Sequence, residues 1–125
     1  MTSKYCFGRI PYLLVTLLAV LSWPAARADS SLSTFTGEIT DSLCAKAGSH
    51  EQMMQEMKSM GRDKATCSAK CIQLGAKYVL YDSSKGAIYE LDDQDKAERF
   101  AGHKVRVSGA LQKKKIKVTN IEAAD

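Results

Sequence analysis

The hydrophobic period of this chain switches between two and three-to-four as the sequence is followed, and the order of those switches leaves few architectures open. Phe35, Gly37 and Ile39 alternate with Thr36, Glu38 and Thr40, which is the period of a half-buried strand. A second strand runs from Lys77 to Asp82 through Tyr78, Val79, Leu80 and Tyr81, and the turn Ser83-Ser84-Lys85-Gly86 leads into a third from Ala87 to Leu91. A short helix from about Gln94 to Phe100 puts Ala97 and Phe100 on one face and stops at Gly102, the residue best suited to a left-handed cap. Val105, Val107 and Gly109 then alternate with Lys104, Arg106 and Ser108, and a last strand carries Ile116 and Val118. Ile121 is out of phase with that pair, which predicts a bulge or the end of the strand.

The N-terminus sets the compartment in which the cysteines must be read. Lys4 and Arg9 precede a nearly unbroken apolar run from Pro11 to Trp23, and Ala26-Arg27-Ala28 has the small-x-small form of a signal peptidase site. The run is short for a spanning helix, which needs about 20 residues, so residues 1–28 are expected to be a cleaved leader and the mature chain to be periplasmic or secreted, with no membrane span. Cys6 lies before the apolar run and leaves with it. Cleavage removes Lys4, Arg9 and Arg27 and no acid, which lowers the net charge from +4 to +1. A near-neutral exported chain has no electrostatic reason to bind nucleic acid. The cluster Lys113, Lys114, Lys115 and Lys117 falls on an expected hairpin turn, where a solvated charge run suffices.

After a short linker, 29–33, residues 34–125 are expected to form one domain, mainly β with short helices. Its order is strand, helical insert (41–76), strand, strand, helix, strand, strand. That is the order of the OB-fold, a five-stranded, partly open barrel with a helix between the third and fourth strands; another small five-stranded barrel or an α+β roll is the alternative, since one chain does not give the order of strands in space. Three pieces carry a closer likeness: Thr36 to Cys44, Cys71 through Gly75 to Leu80, and Phe100 to Gly109. With these the chain resembles a family of small, exported, functionally uncharacterised bacterial proteins. Through the glycine-valine pattern of the fourth strand it is also similar, more loosely, to exported bacterial OB-fold proteins linked to stress tolerance. The resemblance implies a barrel and export, and it implies no catalytic residue. The stress-tolerance group lacks the cysteine-bearing insert.

The insert is where chemistry can reside. His50, Met53, Met54, Met57 and Met60 recur at spacings of three and four, so a helix from Ser49 to Met60 would carry most of them on one face. Thr66 is suited to cap a second helix, in which Cys67 and Cys71 project from the same side. Cys44 lies just past the first strand. If the two helices fold back on each other, Cys44, His50, Cys67 and Cys71 meet. Three thiolates and an imidazole suit Zn²⁺. Added thioethers from Met53, Met54 or Met57 favour Cu(I), and the pair Cys67 and Cys71 with a distant histidine is similar in ligand set, though not in fold, to copper chaperones that serve cytochrome oxidase.

Other outcomes compete. An exported domain normally pairs its thiols, so Cys44 is a candidate to form a disulfide with Cys67 or Cys71, closing a loop of about 25 residues and contributing roughly 3 kcal/mol. That leaves one thiol to be buried, reactive as a redox group, or shared with a second chain. No Cys-x-x-Cys, nucleophile elbow, phosphate loop or His-Glu-x-x-His is present, so the chain is not expected to be an enzyme. The acidic run Glu90, Asp92, Asp93 and Asp95 meets a helix start, where carboxylates are favourable, and His103 is expected to be solvated. A binding module without chemistry is the remaining class. Tyr78, Tyr81 and Tyr89 come from the second and third strands, the face with which OB-folds hold ligands, and would stack on a glycan or contact a peptide or envelope protein. A monomer or weak homodimer is expected.

Overall fold

The computed structural model describes residues 31–124; the expected leader, and the start of the expected linker, lie outside the described residues. The protein is mainly β. Strands β1 (Ser33–Asp41), β2 (Tyr78–Asp82), β3 (Ala87–Leu91), β4 (Lys104–Gln112) and β5 (Lys115–Ala123) form one mixed sheet. The short helices are α1 (Ser42–Ala47), α2 (His50–Glu56), α3 (Lys64–Gln73) and α4 (Gln94–Glu98), with a 3₁₀ turn at Lys58–Met60. No helix among the described residues is long and apolar enough to cross a membrane.

The strand order is β1-β2-β3-β5-β4, and the sheet closes on itself because β4 also pairs with β1, from Ser33↔Gly109 to Glu38↔Lys104. Ser33, expected at the end of the linker, already belongs to β1. All neighbours are antiparallel except β3 and β5, which run parallel over Glu90↔Lys115 and Leu91↔Ile116. Closure puts one face of every strand inside. There Ile39, Tyr78, Leu80, Leu91, Val105, Val107, Ile116 and Ile121 make the main core, with Ala97 and Ala101 from the segment between β3 and β4. Full burial of each large aliphatic side chain contributes about 1.5 to 3 kcal/mol.

Ile116 and Ile121 both reach the core although their spacing is odd. The reason is a bulge. Ser108 pairs with Asn120 and Gly109 with Val118, so Thr119 is the extra residue that restores the phase. The helix expected from Gln94 to Phe100 is shorter than its pattern: α4 ends at Glu98, and tighter turns carry the chain on through hydrogen bonds from the Phe100 and Ala101 amides to the carbonyls of Ala97 and Glu98. Gly102 follows at φ 79°. Its N–H donates to the Ile39 carbonyl, and the Ile39 N–H donates to the His103 carbonyl, so this link continues the pairing of β1 beyond Glu38.

Helices α1, α2 and α3 lie between β1 and β2 in the chain and enclose a second, smaller core of Cys44, Met60, Cys67 and Cys71. Met53, Met54 and Ala76 pack against it. Two of these helices differ from expectation. The methionine helix stops at Glu56, because Met57 leaves the helical region at φ −126° and ψ 80° and a 3₁₀ turn follows. The cap of α3 is Asp63, not Thr66: the Asp63 carboxylate accepts from both the amide and the hydroxyl of Thr66.

Candidate metal centre in the insert

Each thiol is placed by a helix that starts at a polar cap. Asp41, the last residue of β1, turns the chain into α1, and its Oδ1 accepts from the amides of Leu43 and Cys44 at 3.0 and 2.9 Å. This fixes Cys44 one residue triplet beyond the strand. Ser49 caps α2 through the Gln52 amide, which sets His50 as its first residue. Asp63 starts α3, where Cys67 and Cys71 are one turn apart on the inner side. Asp41 Oδ2 accepts from the Ser68 hydroxyl at 3.1 Å, so one carboxylate ties α1, α3 and the end of β1 together.

Cys44, Cys67 and Cys71 are free thiols with no solvent exposure. The Sγ atoms of Cys44 and Cys67 are 3.6 Å apart. Zn–S bonds of about 2.3 Å at tetrahedral angles would place two sulfurs about 3.7 Å apart, so this edge has the span of a shared metal. The expected ligands gather as two overlapping groups. The ligand atoms of Cys44, Cys67 and Cys71 lie within 4.8 Å of one another, and so do those of Asp41, Cys44 and His50.

His50 is 2% exposed. Its Nε2 is 2.8 Å from Thr40 Oγ1 and 3.4 Å from Glu38 Oε1. Glu38 can only accept, so Nε2 carries the proton and Nδ1 presents a lone pair. That Nδ1 is buried and has no hydrogen-bond partner, a cost of about 1 to 3 kcal/mol unless something binds it. Lys64 Nζ bridges Glu38 and Glu51 at 2.8 and 3.2 Å, linking β1, α2 and α3 around the ring.

The electrostatics follow from burial around one carboxylate. Burial pushes the Asp41 carboxyl up, but hydrogen bonds from the Cys44 amide, the Cys44 and Cys71 thiols and Ser68 outweigh it, and Asp41 lies below the ordinary carboxylate value. Burial, Asp41 and Cys67 push the Cys44 thiol far up, and burial with Asp41 pushes Cys71 up to about 12. Burial pulls His50 down against the upward pull of Glu38 and Asp41. At neutral pH the imidazole is neutral and these two thiols hold their protons, so His50 and Glu38 do not form a full ion pair. Lys64 is held by the two glutamates and Lys70 by the Ser59 carbonyl, and neither is among the main causes of the thiol shifts.

The remaining candidates separate. Met53 and Met54 are half-buried against the thiol cluster, but Met57 is 46% exposed and turned away, because the helix breaks there. The three tyrosines do not form a ligand face. Tyr78 is 5% exposed in the main core, with its backbone N–H and C=O both bound by the Gln94 amide. Tyr89 pairs with Leu80 and packs inward against Phe35 at a ring distance of 5.5 Å. Tyr81 pairs with Ile88 on the opposite face, as strand alternation requires. Asp93 caps α4 and His103 is exposed, as expected.

Asp41, Thr40, Glu38 and Ser68 belong to the site and were not found in the sequence. Asp41 had a local signal, an Asx cap directly before the Ser-Leu-Cys that opens α1. The others act across 10 or more residues of chain and leave no local pattern. Compared with protein-family models, curated proteins and solved structures, the chain matches none.

Proposed function

We propose that this chain is an exported, OB-fold-like protein that binds a soft or borderline metal ion, Cu(I) or Zn²⁺, through the thiolates of Cys44, Cys67 and Cys71. One observation carries this: three wholly buried thiols, none in a disulfide, converge within ligand range, in a pocket that already holds a carboxylate. A purely apolar core would not place Asp41 there, and a reactive thiol would need exposure and a cation to ionise it. Here the shifts run the other way, so thiol redox catalysis is disfavoured. A metal displaces the thiol protons and supplies the missing positive charge. Met53 and Met54 line the cluster with thioethers, which suits Cu(I). The OB-fold assignment is supported by the β1-β2-β3-β5-β4 order and the helix before β4, and export by the apolar leader with its Ala26-Arg27-Ala28 site.

A disulfide staple is the alternative, favoured by the 3.6 Å approach of Cys44 and Cys67. It would leave Cys71 free and the chain as a module for a glycan, peptide or envelope protein. Anaerobic titration of the reduced protein with Cu(I) or Zn²⁺ against a chromophoric chelator tests the metal reading. Tight uptake that Cys67→Ser abolishes is expected. No uptake, with one alkylatable thiol in protein isolated under oxidising conditions, assigns the staple instead.

A further inference from the structure

We propose that Asp41, Cys44 and His50 form a second cation station that shares the Cys44 sulfur with the three-thiol site, so that the insert holds two divalent ions bridged by one thiolate. This rests on the metal-binding reading above and extends it from one ion to a pair.

Three observations lead to it. The ligand atoms of Asp41, Cys44 and His50 lie within 4.8 Å of one another, and Cys44 is the one member common to both groups. The His50 Nδ1 lone pair is buried and unpartnered, while Nε2 is already engaged by Thr40 and Glu38. That is the arrangement of a metal-binding imidazole whose other nitrogen is fixed by outer partners. Asp41 is wholly buried, its carboxylate accepts from two amides and one hydroxyl, and it makes no ion pair among the described residues. Its carboxylate also accepts from the Cys44 and Cys71 thiols, whose protons leave when a metal binds and so free lone pairs for a cation.

Charge decides between one ion and two. Three thiolates and one carboxylate carry four negative charges in a pocket without solvent exposure, and an unbalanced buried charge is expensive. A single Zn²⁺ neutralises half of it, and two neutralise all of it. The donors also divide by type. The three sulfurs suit the softer demand, and the oxygen, sulfur and nitrogen set suits a borderline divalent ion such as Zn²⁺. As the metal–sulfur bonds form, the three thiol protons leave to solvent.

The test is native mass spectrometry of the reduced, unaltered protein with graded Zn²⁺, repeated on His50→Gln and Cys67→Ser. Two Zn²⁺ per chain are expected for the unaltered protein and one for His50→Gln. Saturation of the unaltered protein at one Zn²⁺, lost in Cys67→Ser, would overturn the second station and leave the three-thiol reading standing. Two Zn²⁺ retained by His50→Gln would overturn it too, by placing the second ion elsewhere. No Zn²⁺ on the unaltered protein would overturn the second station, and no uptake of Cu(I) either would overturn the three-thiol reading with it. Saturation of the unaltered chain at one Zn²⁺ overturns the second station even if His50→Gln fails to fold.

Discussion

Asp41 carries more of the structure than any other polar residue of the insert. Its two oxygens satisfy the amides of Leu43 and Cys44 and the hydroxyl of Ser68, and the Cys44 and Ser68 donors are buried away from water. Losing a cap costs about 1 kcal/mol, and leaving buried donors unpaired costs about 1 to 3 kcal/mol each time. Asp41→Ala is therefore expected to lower the stability of the reduced, metal-free protein by about 2 to 4 kcal/mol, measured by urea denaturation. A loss below about 1 kcal/mol, the size of a simple exposed cap, would mean that the carboxylate organises α1 alone and does not tie α3 to β1.

Helix α3 is held from the sheet side at its first turn. A Cβ on Gly102 would lie 2.7 Å from the Lys64 Cβ and 3.2 Å from the Ala65 amide nitrogen, and its φ of 79° is itself unfavourable for an L side chain. Gly102→Ala should cost about 1 to 3 kcal/mol and should raise the alkylation rate of Cys67, since the helix that positions it must shift. Denaturation and timed thiol labelling check the two effects together, and normal labelling with lowered stability would confine the damage to the turn. The turn glycine was legible in the sequence, as were all five strands, because alternation is a local signal that closure then uses directly. Even the phase slip at Ile121 was readable, and Thr119 accounts for it. The insert was read less well. Six residues are too few to show a helical period, so the sequence places Cys44 just past the first strand without announcing α1. The methionine pattern ran on through Met57, where backbone geometry and not composition ends the helix. Tyr78, Tyr81 and Tyr89 were grouped by strand, but side-chain alternation divides them between two faces.

The molecule has two cores of unequal strength. The closed sheet buries a run of branched aliphatic side chains, whereas the insert encloses three cysteines and one methionine, with two half-buried methionines beside them. Cysteine and methionine bury little area or pack adaptably, and the orphaned His50 Nδ1 subtracts from what they supply. The insert should therefore open at a lower free energy than the sheet, as a separate cooperative unit. Hydrogen exchange on reduced, metal-free protein is expected to show amides of α1 to α3 exchanging before those of β1, β4 and β5. Free Zn²⁺ at a hundredfold excess over its Kd stabilises the bound form by about 2.7 kcal/mol, or roughly a hundredfold slower exchange, and this protection should fall on α1 to α3 because, among the described residues, they alone carry thiols. Since β4 and β5 pair through eight registered positions without touching the insert's thiols, their exchange should change little. Equal slowing throughout the sheet and the insert would show instead that the two cores unfold as one, so that a metal bound in the insert would stabilise the whole protein.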